Sequence, residues 1–249
     1  MGEKLAHPPL VEALCEFRFL PTSPWDLTIP GQLYERIKDE FTERAQLPGF
    51  GVEIQSTPRL SPVATIHSGP ERVQLRRPDG SAMVQVGEHL LAINQLPPYP
   101  TWEVFVGLIG QILGEYWPMV GEARLARIGL RYINQIPVHA AHLRVGDYLT
   151  LVPPLAGGLD RPLASFYQRY ELSYDRPFGL LIHQTGTRRI EEDQWVLVLD
   201  LDFSATLVQG LTTVDEVKRW LEAAHERVYE AFVASLNPTL LAKLKQDVA

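Results

Sequence analysis

Apolar and polar residues alternate from Leu10 to Leu20. Val11, Ala13, Cys15, Phe17 and Phe19 fall on one side, and Glu12, Glu16 and Arg18 on the other. A period of two predicts a half-buried strand. After a Pro-bounded connection over 21–30 the period lengthens. Leu33, Ile37 and Phe41 recur at helical spacing from about Gly31 to Arg44, with Pro48-Gly49 as the stop. Short β-type runs follow at Gly51–Thr57, Val63–His67, Arg72–Arg77, Ser81–Val86 and Leu90–Leu96. Between two of them Pro78-Asp79-Gly80 predicts a hairpin, its Asp-Gly suited to the positive φ angles of a type I′ turn. Thr101 then opens a helix to about Trp117, with Val104, Phe105, Leu108, Ile109, Ile112 and Leu113 facing inward.

A strand begins again at Arg124–Val138. Val145–Leu151 reads as one helical turn or an irregular loop, followed by Pro153-Pro154 and Gly157-Gly158. Three strand-like runs come next, at Ser165–Tyr174, Phe178–Thr187 and Gln194–Phe203. The chain then enters its strongest helix signal, Thr213-Val-Asp-Glu216, in which Thr213 caps the first turn and Glu216 reaches back. Val217, Trp220, Leu221, Ala224, Val228, Ala231 and Phe232 mark one face of that helix as far as Leu236. Arg131, in Gly-Leu-Arg-Tyr-Ile, lies 113 positions after Arg18, in Glu-Phe-Arg-Phe-Leu, and Thr213 lies 112 after Thr101. Nearly equal offsets at two landmarks suggest a duplication, with halves 1–120 and 121–249 joined in one globular unit. The predicted class is α+β: tandem helix-grip units, β-α-β4-α, like those of TATA-binding-protein-like folds. They would form a curved antiparallel sheet with helices on one face. The alternative is a single helix-grip cavity of lipocalin or plant-allergen type, holding a ligand between helix and sheet.

Composition narrows the function classes. A net charge of −7 and a pI near 5.5 disfavour general nucleic-acid binding, which draws its affinity from neutralised phosphates. Nucleic acid is therefore expected only within a larger complex. Cys15 is the single cysteine, so an intrachain disulfide and a cysteine-based zinc cluster are both excluded. No apolar leader or membrane-length apolar run occurs, and a cytoplasmic protein without a membrane partner is the expectation. Neither a Gly-x-Ser-x-Gly elbow, a P-loop nor a dinucleotide fingerprint is present, and no cofactor is called for.

Several residue sets could carry chemistry. Glu12, Glu16 and Arg18 share the polar side of the first strand, and Arg127 and Arg131 share a side of its copy. If those strands meet, the five residues make either cross-strand ion pairs or the charged floor of a ligand- or partner-binding surface. Asp200 and Asp202 point the same way from one strand and are candidates for a divalent metal, although spacing marks no further ligand. His225-Glu226 lacks the second histidine of a zinc-protease helix, since position 229 is Tyr229, and His225 reads as a residue at the sheet rim. His139 and His142 form a weak metal pair, Arg72, Arg76, Arg77, Arg188 and Arg189 read as scattered surface charge, and Cys15 reads as a buried small hydrophobe. Gly107, Gly110 and Gly114 each cost a helix about 1 kcal/mol relative to alanine. The compensating use of such a stripe is close packing, against the last long helix or against a second copy in a homodimer.

The stretch Pro8-Pro9-Leu10-Val11-Glu12-Ala13-Leu14-Cys15-Glu16-Phe17-Arg18-Phe19 resembles the opening motif of a sporadically distributed family of uncharacterised prokaryotic proteins about 250 residues long. Further similar stretches are Ser23–Gly31, Val84–Val86, Arg127–Asn134 and Ala224–Val228, so the resemblance spans most of the chain. It implies a patchy distribution of the kind seen in defence or mobile-element genes, and it carries no catalytic residue. Together these observations favour a non-enzymatic binding or adaptor protein. It would recognise a protein partner, or a small ligand, on its sheet or in its sheet–helix groove. The alternatives are an enzyme acting on a phosphorylated or nucleotide substrate, and a nucleic-acid-associated subunit.

Overall fold

The computed structural model describes residues 5–20, 24–55, 63–121, 124–152, 161, 163–206 and 210–245, with backbone alone over 47–55 and 63–71. The first segment of the chain runs β1 (Leu10–Leu20), α1 (Ile29–Ile37), β2 (Glu43–Gln55), β3 (Val63–Arg76), β4 (Ala82–Gly87), β5 (Leu90–Gln95) and α2 (Trp102–Tyr116). The remainder runs β6 (Arg124–His139), β7 (Tyr167–Asp175), β8 (Phe178–Glu191), β9 (Gln194–Thr206), α3 (Val214–Ser235) and α4 (Pro238–Lys245). Among the described residues the nine strands form one antiparallel sheet in the order β2-β3-β4-β5-β1-β6-β9-β8-β7. The class is α+β. No helix among the described residues is long and apolar enough to cross a membrane.

β1 and β6 pair at the middle of the sheet, with Cys15 opposite Leu130 and Phe17 opposite Ile128. The alternation in β1 does what a period of two requires. Ala13, Cys15, Phe17 and Phe19 are buried under the helices, while Glu12, Glu16 and Arg18 lie on the far side. The same helix-side layer takes Leu130 and Tyr132 from β6, Leu201 and Phe203 from β9, and Leu91 and Ile93 from β5. α1, α2 and α3 close it with Leu33 and Ile37, with Phe105, Ile109 and Ile112, and with Val217, Leu221 and Ala224. Both predicted caps form. Thr101 accepts the N–H of Val104, and Thr213 and Glu216 make the reciprocal capping box.

Several expectations need correction. The helix expected to reach Arg44 ends at Ile37, because Glu43–Leu47 pairs with Arg72–Arg76 of β3, and strand pairing overrides local helical spacing. Pro48-Gly49 lies inside β2, at a register shift between Leu47 and Gly49 where the ladder needs no N–H from proline. The runs at 63–67 and 72–77 are one strand. The Asp79-Gly80 turn is not type I′, since only Gly80 has positive φ, at 72°. The Gly80 N–H donates to the Arg77 carbonyl, so Pro78 and Asp79 make an ordinary tight turn and Gly80 supplies the left-handed residue after it. The chain after β6 departs from β-α-β4-α. Where the first segment has α1 it has a single 3-10 turn at Val145–Asp147, and it contributes three further strands rather than four. Pro153-Pro154 and Gly157-Gly158 lie outside the described residues. α4 carries no signal noted in the sequence; it packs Leu240, Leu241 and Leu244 against the core, and its Leu244 carbonyl accepts the His7 N–H.

Of the glycine stripe, only Gly110 is closely approached. A β-carbon there would collide with the side chain of Lys218 on α3, whereas Gly107 and Gly114 are exposed with nothing near.

A candidate binding cavity between sheet and helices

The two faces of the sheet offer different chemistry. On the side away from the helices the predicted charged residues do come together. Glu16 accepts from Arg18 at 2.9 Å and from Arg127 at 3.0 Å, and Arg127 also donates to Asp202 at 3.2 Å. The guanidinium of Arg127 can lie across the strand because Gly129 stands beneath it, where a β-carbon would come within 2.8 Å. Arg131 grips Asp200 with two N–H groups, at 2.8 and 2.5 Å, and Gln184 adds a third bond to that carboxylate. Glu12 accepts from Asn94, and the chain continues through Gln85 to Gln74. This is a ladder of polar side chains running across the strands, with Asp200, Asn94 and Gln74 each less than a tenth exposed. Burial raises the pKa of Asp202, outweighing the nearby arginines. Arg127 and Arg131 each face fixed carboxylates, so neither is held in reserve for a phosphate.

Asp200 and Asp202 are thus engaged by arginines. Among the described residues no group of three or more His, Cys, Asp or Glu is placed to hold a metal ion. His139 and His142 are both exposed. Arg77 pairs with Glu40 at 2.7 Å, and Arg189 donates to the carbonyls of Glu191 and Glu192 at its hairpin end. Cys15 is fully buried, and burial pushes its thiol well above the usual range, which removes it as a nucleophile.

The helix side contains a cavity of about 660 Å³, within the 300–1,000 Å³ typical of small-molecule sites. Its floor is Leu10 of β1 with Tyr132 and Asn134 of β6. One wall is the segment entering α2, Tyr99 to Glu103, and the other is α3 from Glu222 to Phe232. Leu5, Pro8 and Pro9 complete the rim. The cavity lies over the β1–β6 pair, beside the register shift between Leu10 and Glu12.

The lining is held by specific contacts. The Trp102 indole stacks on the His225 imidazole, with centroids 4.2 Å apart and planes 6° from parallel. Its N–H donates to Glu222 at 2.6 Å. Tyr99 and Tyr132 share a hydroxyl–hydroxyl bond of 2.9 Å. The Asn134 side chain donates to the Leu199 carbonyl, which fixes the amide on the floor. Burial pushes the His225 pKa down to about 4, so the ring is a neutral imidazole near pH 7. Burial likewise raises both Tyr99 and Tyr132, which remain protonated phenols. Glu103, in the first turn of α2, is held below the usual carboxylate range by backbone N–H donation.

Sequence reasoning placed His225 at the sheet rim and gave no role to Tyr99, Trp102, Tyr132, Glu222 or Tyr229. One signal was available. Glu222, His225, Glu226 and Tyr229 form a second stripe at helical spacing beside the apolar one. A scan of protein-family models matches none to this chain, and a search of curated proteins gives no significant match.

Proposed function

We propose that this chain is a binding protein that takes a small ligand in the cavity between β1, β6, α2 and α3. The observation that carries the reading is the cavity itself. A space of about 660 Å³ is walled by aromatic side chains whose polar atoms are fixed by hydrogen bonds. The space opens to solvent, and a ligand that fills it exchanges water for contact with apolar and aromatic side chains. The reading of an enzyme acting on a phosphorylated substrate draws less support, because Arg127 and Arg131 are occupied by Glu16, Asp202 and Asp200. The finer assignment to tandem helix-grip, TATA-binding-protein-like halves stays with this proposal. In its favour, the first strand of each half lies between that half's last strand and the other first strand.

The test is a thermal-shift screen with small cationic, neutral and anionic amphiphiles, run beside two blocked variants. Val228→Trp fills the cavity from α3, and Leu10→Trp fills it from the sheet. Saturable stabilisation of the natural chain by at least one class, lost in both variants, is the expected result. Equal shifts in blocked and open proteins, or none in either, would overturn the reading.

A second reading, recognition of a protein partner, draws on β7, an edge strand whose Tyr167 and Leu172 stay exposed beside Phe178 of β8. An extended peptide from a partner could add a strand there. A Leu172→Lys variant that keeps the full set of co-purifying proteins would sink it.

A further inference from the structure

We infer that the ligand of this cavity is a small organic cation, an amine or quaternary ammonium head on an apolar body; this rests on the binding reading above. Among the described residues, the charged groups lining the cavity are Glu103, Glu222 and Glu226, with no lysine or arginine beside them. The titratable rings beside them add no positive charge, because His225 is a neutral imidazole and the phenols of Tyr99 and Tyr132 keep their protons. The described walls therefore present three carboxylates at the edge of a space lined by aromatic rings. This differs from the outer face of the sheet, where Glu16, Asp200 and Asp202 are each paired with an arginine.

Two attractions then act on the same ligand atom. Glu103, Glu222 and Glu226 are solvent-exposed at the mouth of the cavity, so they attract a cation through a screened field that weakens with salt. Tyr99, Trp102, Tyr132 and Tyr229 line the same space, and an aromatic ring attracts a cation placed over its face. Glu222 is fixed in position, since the Trp102 indole holds one of its two oxygens at 2.6 Å and leaves a carboxylate of set orientation at the wall. An anion would meet like charge on both walls, and a neutral ligand would gain from apolar burial alone. The cavity is large enough for the apolar body as well as the head, with Pro8, Pro9, Val228 and Phe232 as its apolar surface.

The experiment is calorimetric titration with three molecules of equal size, phenylbutylamine, phenylbutanol and phenylbutanoate. The proteins are the natural chain, Glu222→Gln/Glu226→Gln and the blocked Leu10→Trp. Glutamine keeps an acceptor for the Trp102 N–H and removes only the charge. The amine is expected to bind at least about tenfold tighter than the alcohol, and the carboxylate most weakly. The double glutamine variant should lose about tenfold for the amine and leave the alcohol unchanged. If alcohol and amine bind alike, or the glutamines leave the amine unaffected, the cation inference falls. Binding that Leu10→Trp still abolishes would then leave the cavity reading standing. If none of the three binds the open protein, the cation inference is overturned, and the wider screen decides the cavity separately.

Discussion

Acid should unfold this protein partly through His225, and the size of the effect follows from its surroundings. The ring lies between the Trp102 indole and Tyr132, and it is faced by Glu103 from α2 and by Glu222 and Glu226 on its own helix. Burial dominates over the nearby Glu103 charge and lowers its pKa from 6.5 to about 4. The unfolded chain therefore takes up a proton near pH 6.5 that the folded chain refuses until about pH 4, and in that window the unfolded state binds more protons. Stability consequently falls as pH drops through the window and levels off on either side of it. At about 1.4 kcal/mol per unit the full shift corresponds to roughly 3 kcal/mol, of which about 2 should be lost between pH ~7 and ~4.5. The assay is urea unfolding of the natural chain and of His225→Gln, followed by tryptophan fluorescence. His183, also lowered by burial, and the paired carboxylates remain in both proteins and cancel in the comparison. The His225→Gln curve should be flatter by about 2 kcal/mol over that range. Parallel curves, or a proton NMR titration placing His225 near its ordinary value, would refute the account.

Other substitutions test the packing around the site. Gly179→Ala should cost about 2 kcal/mol or more in thermal unfolding, because its β-carbon would come within 2.9 Å of the Ser204 carbonyl and 2.5 Å of the Phe203 ring. Thr213→Ala should cost about 1 kcal/mol by removing the α3 cap, and a loss below a few tenths would deny the capping box its role. Tyr116→Phe should leave stability unchanged or raise it by about 1 kcal/mol, since the buried hydroxyl has no partner among the described residues; clear destabilisation would mean the hydroxyl is bonded. Arg131→Met should cost about 2 kcal/mol by stranding the buried Asp200, whereas Arg131→Met with Asp200→Leu should recover most of the loss in a double-mutant cycle.

The elements most legible in the sequence were those in which one local rule dominates. β1 and β6 alternate cleanly because one side is core and the other is solvent, and α3 announces itself by Thr213 and Glu216 together with an apolar stripe. α1 was overextended because Phe41 keeps helical spacing while serving the core from a turn, and because the strand pairing that claims Glu43 onward is a contact across the sheet. The Gly80 turn was misassigned because Asp-Gly suits two geometries, and Pro78 before it favours the one observed. The charged ladder was half legible. Glu16, Arg127 and Arg131 could be placed on facing strands from the chain alone, but the roles of Asn94, Gln85 and Gln184 depend on register. The cavity was least legible, because its walls come from segments more than a hundred residues apart. Trp102 meets Glu222, and Tyr99 meets Tyr132, only after both halves of the chain have joined the sheet.

That contrast separates a structural surface from the proposed binding surface. On the outer face carboxylate and guanidinium neutralise each other at 2.5–3.2 Å, so an incoming ligand must first break bonds worth keeping. Such a ladder supports the register between β1, β6 and β9, where a one-residue slip would turn these charges toward the apolar core. The helix side inverts the balance. There the hydrogen bonds Trp102–Glu222 and Tyr99–Tyr132 hold the wall without filling the space between. A fold optimised for stability alone would close that space with a larger side chain at Val228 or Leu10, either of which has room to grow into it. Val228 and Leu10 leave that space open among fixed aromatic rings, which is what the proposed binding function requires.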